Sequence, residues 1–407
     1  MLVKNIFDIV VIGGGAAGFF AAINLKEKNP QINIAILEKG KDVLTKVKIS
    51  GGGRCNVTNA ESKPSELVKN YPRGEKELKS LFYTFGSAEM HEWFAHRNIE
   101  LKTESDGRVF PKSDTSQTII DCFLNETKRL KIPIYTQQNV LDFHKNEAET
   151  WELKTAETIY FAKKIVLTTG SNPKFWNVCK KLGHTLVEPV PSLFTFAIND
   201  EKLHHLMGIS AEVSLKILDT KLQSTGTMLI THWGLSGPAI LRLSAWGARI
   251  LAEKNYNFTL EINWLNELNF ENTFETLKKL KNEHPKKIIF KNPAFGLTHR
   301  LWEYLLTQSS VPENLTFADS SHKILQIIAE QLTKSTYKVT GKSTFKDEFV
   351  TAGGIERKEI NFKNMESRIV KNLYFAGEII DIDAITGGFN FQNAWTTAWM
   401  VSEVTIN

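Results

Sequence analysis

Asp8-Ile9-Val10-Val11-Ile12 runs directly into Gly13-Gly14-Gly15-Ala16-Ala17-Gly18, and this stretch decides the fold. A short apolar run ending in glycines is the pattern of a parallel strand buried on both faces. The small residues Ala16, Ala17, Gly18, Ala21 and Ala22 let the following helix start close to that strand and to a ligand. Asn33 to Leu37 reads as a second strand ending at Glu38, which completes a β-α-β unit of ordinary length. Gly13 permits the tight turn, Gly15 lets a pyrophosphate approach the backbone, and Gly18 lets helix and strand pack closely. The phosphates would meet the helix N-terminus at Ala16 and Ala17, where the dipole favours negative charge. Glu38, followed by Lys39, stands where a carboxylate accepts hydrogen bonds from an adenosine ribose and disfavours a 2′-phosphate. A glycine turn with no ligand is the plain alternative.

That motif alone does not separate NAD from FAD, but two further segments do. Ser50-Gly51-Gly52-Gly53-Arg54-Cys55-Asn56 can bring backbone N–H groups against a flat, polar ligand; a flexible loop is the alternative there. Near the other end, Leu373–Ala376 reads as a strand ending in Gly377-Glu378. Gly387-Gly388-x-Asn390 and an apolar helix from about Phe391 to Val404 follow. Such a helix aims its positive end at a flavin pyrimidine ring, where negative charge collects on reduction. One nucleotide domain built from both ends of the chain, binding FAD, is the expectation.

At 407 residues, two or three domains are expected. The composition, 42% apolar and 23% charged, is ordinary for a soluble globular chain, and no apolar run approaches the roughly 20 residues of a membrane span. Lys4 and Asp8 make Leu2–Ile12 a first strand rather than a signal peptide. Three scattered cysteines, Cys55, Cys122 and Cys179, fit a reducing cytoplasm and no disulfide framework. No histidine or cysteine spacing suggests a metal site, and no nucleophile elbow is present. A net charge of +5 is too small to imply nucleic acid by itself. Lys278, Lys279, Lys281, Lys286, Lys287 and Lys291 cluster, and read as a solvated helix face rather than a phosphate-binding surface.

Helical patterns cover Glu75–Arg97 and Thr115–Leu130, with strands near Ile134–Phe143, Trp151–Lys154 and Ile165–Leu167. From about Glu188 the character changes. Ser192–Ile198, Ala211–Leu218 and Gly226–Thr231 read as antiparallel strands. Helical patterns then run over Pro238–Glu253, Thr273–Glu283, Ala294–Leu306 and Ser320–Lys334, the last capped by Asp319 or Ser320. A strand over Tyr337–Phe345 returns the chain toward Val350. The expected class is α/β: a parallel-sheet, Rossmann-like domain from residues 1–188 and 346–407, with 189–345 inserted as an antiparallel, barrel-like and helical domain.

At these residues the chain resembles the bacterial flavoproteins called aminoacetone-oxidase-like, or NAD(P)/FAD-dependent oxidoreductases, some of which reduce bile acids. The resemblance covers nearly the whole length. It rests on the first glycine motif, on Ser50–Asn56 with Thr58-Asn59, on Asp106-Gly107-Arg108-Val109-Phe110-Pro111, and on Thr231-His232-Trp233-Gly234-Leu235-Ser236-Gly237-Pro238. It continues through Val350–Ile355, Met365-Glu366-Ser367 and Phe375–Glu378 to Gly387-Gly388. The resemblance implies FAD in a two-part, glutathione-reductase-like domain. Carried over, Gly13, Gly15, Gly18 and Glu38 hold the ADP half, and Val140, Thr169 and Gly170 flank the adenosine. Gly52, Gly53, Arg54, Cys55, Asn56, Gly377, Glu378, Asp381, Gly388 and Asn390 surround the ribityl chain and isoalloxazine. Two departures stand out: Lys174-Phe175-Trp176-Asn177 replaces a glycine-rich stretch, and Asp383-Ala384 stands where Asp-Gly is more typical.

His232 is the one candidate for a substrate-facing acid or base, against a packing histidine at a strand end. Arg108 either binds an anionic substrate or anchors a turn. Cys55 is either a low-pKa thiol at the flavin or a small residue beneath the ring. The expected function is an FAD-dependent oxidoreductase acting on a small organic substrate, with NAD(P)H as a transient electron donor at the flavin face. An O2-using oxidase, an RNA-modifying or RNA-binding flavoprotein, and a non-catalytic flavin sensor are the alternatives.

Overall fold

Residues 5–342 and 350–403 are described in this computed structural model. The chain divides into two units, Met1–Val190 with Val350–Asn407, and Pro191–Phe349. In the first, five consecutive strands run parallel, in the spatial order Leu373–Phe375, Ile159–Leu167, Asn5–Ile12, Ile34–Leu37 and Ile134–Tyr135. Register then places the site: Ile12 lies opposite both Leu37 and Leu167, and Phe375 opposite Leu167. Gly13, Glu38, Thr168 and Ala376 therefore leave the sheet along one carboxyl edge, where open α/β sheets bind their ligands.

Helix Ala16–Lys28 has nine consecutive buried residues, from Ala17 to Leu25. A helix apolar all round must be covered all round, and the terminal helix Phe389–Val401 supplies part of that cover. Phe20 meets Trp395 with ring centroids 5.5 Å apart, Trp93 at 4.9 Å and Phe85 at 5.4 Å. Truncating a fully buried aromatic of this kind costs about 3–5 kcal/mol, so the first and last helices of this unit stabilise each other.

Within this unit, two expected elements come out differently. The helical stretch 75–97 is two helices, Glu75–Phe82 and Ser87–Ala95. They part at Gly86, whose N–H is accepted by the Glu89 carboxylate at 2.7 Å, a capping arrangement that starts a new helix. The strand expected over 134–143 shrinks to Ile134–Tyr135, because left-handed Gln137 (φ +58°) turns the chain. It resumes as Asp142–Lys145, paired antiparallel with Trp151–Lys154.

The second unit holds a closed six-stranded antiparallel barrel: Phe196–Ile198, Gly234–Ser236, Gln223–Thr231, Ser210–Ile217, Phe258–Asn263 and Ser335–Lys342. Phe258–Asn263 was not expected from sequence, although alternate residues along it are buried. Helix Pro238–Glu253 spans the expected residues. The later helices are Phe270–Glu283, His299–Gln308 and His322–Thr333. The last is capped by Ser321, which accepts the Ile324 N–H at 3.2 Å. Asp319 is held instead by the Thr316 hydroxyl, and Ser320 donates to Phe317 O. Residues 343–345 of the expected strand and Val404 of the terminal helix lie outside the described residues. No helix among the described residues is long and apolar enough to cross a membrane.

Candidate functional site

The opening helix begins at Gly15, an extended residue (φ −95°, ψ −168°) that offers no side-chain cap. A Cβ built on Gly15 meets nothing within 4 Å. Its glycine neighbours are the opposite case. A Cβ on Gly13 (φ +114°) would stand 2.5 Å from Thr168 O. One on Gly18 would stand 2.8 Å from Thr168 Oγ1 and closer still to Gly13 O. The motif thus combines two tightly packed glycines with one facing open space at the positive end of a thirteen-residue helix. That cradle fits a diphosphate.

Glu38 accepts the Gly14 N–H and the Gly40 N–H, both at 2.7 Å. It pins the glycine loop, and each carboxylate oxygen keeps a second lone pair for a ribose hydroxyl. Lys39 is exposed beside it, and Val140 is buried. Thr169 and Gly170 follow strand Ile159–Leu167, and the buried Thr169 Oγ1 has no hydrogen-bond partner. The departure at 174–177 is a helix, Pro173–Lys181, capped by Asn172. Its Trp176 indole donates to Ile379 O at 3.1 Å, tying this wall to the C-terminal segment.

The helix that starts at Thr45 is broken at Ser50, and Gly51, Gly52 and Gly53 all turn left-handed. Neither Gly52 nor Gly53 has anything within 4 Å of a built Cβ, so their backbone faces open space. Arg54 turns away to Glu104 at 2.6 Å and lies over the Phe110 ring at 4.0 Å. Cys55 is buried, and burial pushes its thiol up to about 12. This corrects the low-pKa reading: the thiol is protonated at neutral pH and enclosed by protein. The Asn56 amide donates to Val109 O and Thr58 O, and accepts the Gly388 N–H at 2.9 Å.

On the C-terminal side, the Gly377 N–H (φ +75°) is accepted by Thr397 Oγ1 at 2.9 Å. The Glu378 carboxylate pairs with Lys46 at 2.6 Å and accepts the Thr351 N–H at 3.2 Å. Asp381 is buried, 3.5 Å from Arg357 Nε. Gly388 (φ +93°) starts helix Phe389–Val401 with no side-chain cap, and a Cβ there would overlap Thr58 O. Asn390 closes on Ala384 twice, accepting its N–H and donating to its carbonyl, each at 3.0 Å.

Sequence reasoning missed the residues that join these halves. Thr58 donates to Gln392 Oε1 at 2.6 Å, Gln392 donates to Thr396 Oγ1 at 3.0 Å, and Thr396 donates to Phe85 O at 2.8 Å. Asn59 donates to Gly387 O at 3.0 Å. The available signal was the row of buried polar side chains, Gln392, Asn393, Thr396 and Thr397, in a largely apolar helix. Each needs a buried partner.

In the second unit His232 is exposed, edge-on to Trp233 with ring centroids 4.1 Å apart. Trp233 donates to Thr195 Oγ1 at 3.3 Å. Arg108, in the first unit, pairs with Asp106 at 2.7 Å and Glu104 at 3.0 Å, which is the turn-anchoring arrangement. Among the clustered lysines, Lys278 pairs with Glu275, Lys279 lies 3.7 Å from Glu283, and Lys281 donates to Ser320 O. Lys286, Lys287 and Lys291 are exposed.

Residues 7–404 match the family model described as the HI0933-like protein Rossmann domain. The chain belongs to that family. It is 26% identical over 407 residues to the ribosomal RNA dihydrouridine synthase of Escherichia coli (strain K12), covering 98% of this chain and 97% of that one. It is also 26% identical over 407 residues to the 3-dehydro-bile acid delta(4,6)-reductase of Clostridium scindens, covering 96% and 97%. Among solved structures, the 3-ketosteroid-delta4-(5alpha)-dehydrogenase of Rhodococcus jostii RHA1 superposes with a TM-score of 0.52 at 11% identity, covering 100% of this chain and 99% of that one. This HI0933-like protein is an FAD-dependent oxidoreductase.

Proposed function

We propose that this HI0933-like protein is a reductase that saturates a carbon–carbon double bond conjugated to a carbonyl, with NADH or NADPH as the source of hydride. One observation carries the reading: two relatives aligned over nearly the whole chain bear names for that same bond change, in uridine and in a bile acid. The chemistry FAD supplies is hydride transfer at its N5. Gly15, Ala16 and Ala17 would seat the diphosphate and Glu38 the ribose. The open backbone at Gly52 and Gly53, with the helix start at Gly388, would take the isoalloxazine end. Burial pushes the thiols of all three cysteines up to about 12, which suits direct exchange with substrate rather than a thiol relay.

A second reading of the substrate, a uracil within RNA, is favoured by the Escherichia coli relative and by exposed Lys286, Lys287 and Lys291. Anaerobic mixing with NADH and NADPH tests the donor, and the flavin absorbance should bleach with one of them. Adding a steroid enone, or ribosomal RNA lacking dihydrouridine, to the bleached protein should restore the colour with the true substrate class. Failure of both nucleotides to bleach the flavin overturns the reductase reading.

A further inference from the structure

The turn that carries Gly387 and Gly388 is gripped from outside by a short segment, Asn70–Gly74, that no glycine motif includes. Four contacts join them. The Ile385 N–H is accepted by Asn70 O at 3.0 Å. The buried Tyr71 hydroxyl donates to Phe389 O at 2.6 Å, on the first residue of the terminal helix. Arg73 forms an isolated antiparallel bridge with Asp383 and a two-pronged ion pair with its carboxylate. Gly74 (φ +98°) lies against Ile382, where a Cβ would come within 2.7 Å of Cγ1.

The ion pair is the costly member of this set. The Asp383 side chain is fully buried and that of Arg73 is 12% exposed. Burying such a pair gives up hydration that the attraction only partly returns, so a pair of well-packed apolar residues often serves stability as well or better. What a fork-on-carboxylate pair adds is direction: two parallel hydrogen bonds fix both partners in one orientation. Asp383 is fixed four residues before Gly387, on the loop that Asn390 closes from the other side through Ala384.

We propose that Asn70–Gly74 is a buckle, with Arg73 as a positioning residue, that holds the Gly387-Gly388 turn in the shape the flavin end of FAD requires. The proposal rests on the flavin seat described above. Arg73 would touch neither cofactor nor substrate. It acts by keeping the terminal helix start and its unpaired N–H groups at a fixed place before the cofactor arrives, so less ordering remains to oppose binding.

The test compares Arg73→Met, Arg73→Lys and the apolar pair Arg73→Met/Asp383→Leu, each as full-length apoprotein titrated with FAD. Thermal unfolding of the apoprotein and the flavin midpoint potential are measured alongside. Arg73→Met should weaken FAD at least tenfold and move the potential negative, as the helix N-terminus loosens from the reduced ring. Arg73→Lys should recover part of both, because lysine keeps the charge and loses the fork. The decisive variant is the apolar pair: its unfolding midpoint should return to that of the wild type while its FAD affinity and potential do not. Recovery of affinity together with stability would make the pair a stability element alone and overturn the proposal. An Arg73→Met protein that binds FAD within twofold of wild type would overturn it too. Wild-type apoprotein that takes up no FAD would instead overturn the seat on which the buckle rests.

Discussion

Replacing Gly15 with alanine should separate folding from cofactor binding. Gly15 is extended at φ −95° and ψ −168°, a conformation open to alanine. The new methyl would meet no protein atom within 4 Å. Alanine is a poorer N-cap than glycine by about 0.5–1 kcal/mol, and it removes a similar amount of unfolded-state entropy, about 0.4–1 kcal/mol. The two nearly cancel, so apoprotein stability should stay within about 0.5 kcal/mol of wild type. The diphosphate, however, would have to approach through that methyl. Losing one charge-assisted hydrogen bond from the helix N-terminus costs about 1.5–3 kcal/mol, or about 10- to 100-fold in Kd. The assay is FAD titration of apoprotein followed by flavin fluorescence, with thermal unfolding measured on the same samples. A Gly15→Ala protein whose FAD affinity stays within twofold of wild type would refute the diphosphate seat.

Gly18→Ala is the complementary case. Its methyl would run into backbone at Gly13 O, which no rotamer relieves, so the apoprotein should lose about 3 kcal/mol, read as a clear drop in unfolding midpoint. Thiol reagents at pH 8 should leave Cys55, Cys122 and Cys179 unmodified in the native protein and label all three in urea, because each thiol sits at about 12. Fast labelling of one native thiol would count against the buried placement. His184 adds a pH dependence: burial holds its imidazolium below the usual 6.5, against an opposing pull from Glu359 2.9 Å away. The unfolded chain then binds the proton more readily, so the stability from neutral His184 is present above pH 6.5 and lost as pH falls through the lowered value. The unfolding midpoint of wild type should fall as pH drops from 7 through this range, and His184→Gln should flatten that slope; equal slopes would exclude His184 as the cause.

Much of this was legible because the signals are local. Asp8–Gly18 carries its strand, turn and helix in adjacent residues, and Glu38 follows at the end of the next strand, so register places both on one edge. Helix Pro238–Glu253 was legible for the same reason, its proline at the first helical position marking the start. What escaped is non-local. Phe258–Asn263 is a strand only because Ser210–Ile217 and Ser335–Lys342 flank it. Within the site, the path from Thr58 to Gln392 spans 334 residues. Each side chain looks unremarkable alone, and only the fold shows that they share one buried polar chain.

The pairing of the first and last helices has a consequence during synthesis. Trp395 donates to Val57 O across 338 residues. At about 5–20 residues per second, a ribosome needs roughly 20–70 s to bridge that interval. Throughout it, the emerging chain has made Phe20 and its helix but not the indole that will cover them. The barrel unit is translated entirely within that wait and holds its own core. Newly made protein should therefore pass through a stage with one finished body and one sheet still lacking its last parallel strand and its helix cover, when chaperones have most to do and when premature release is most damaging.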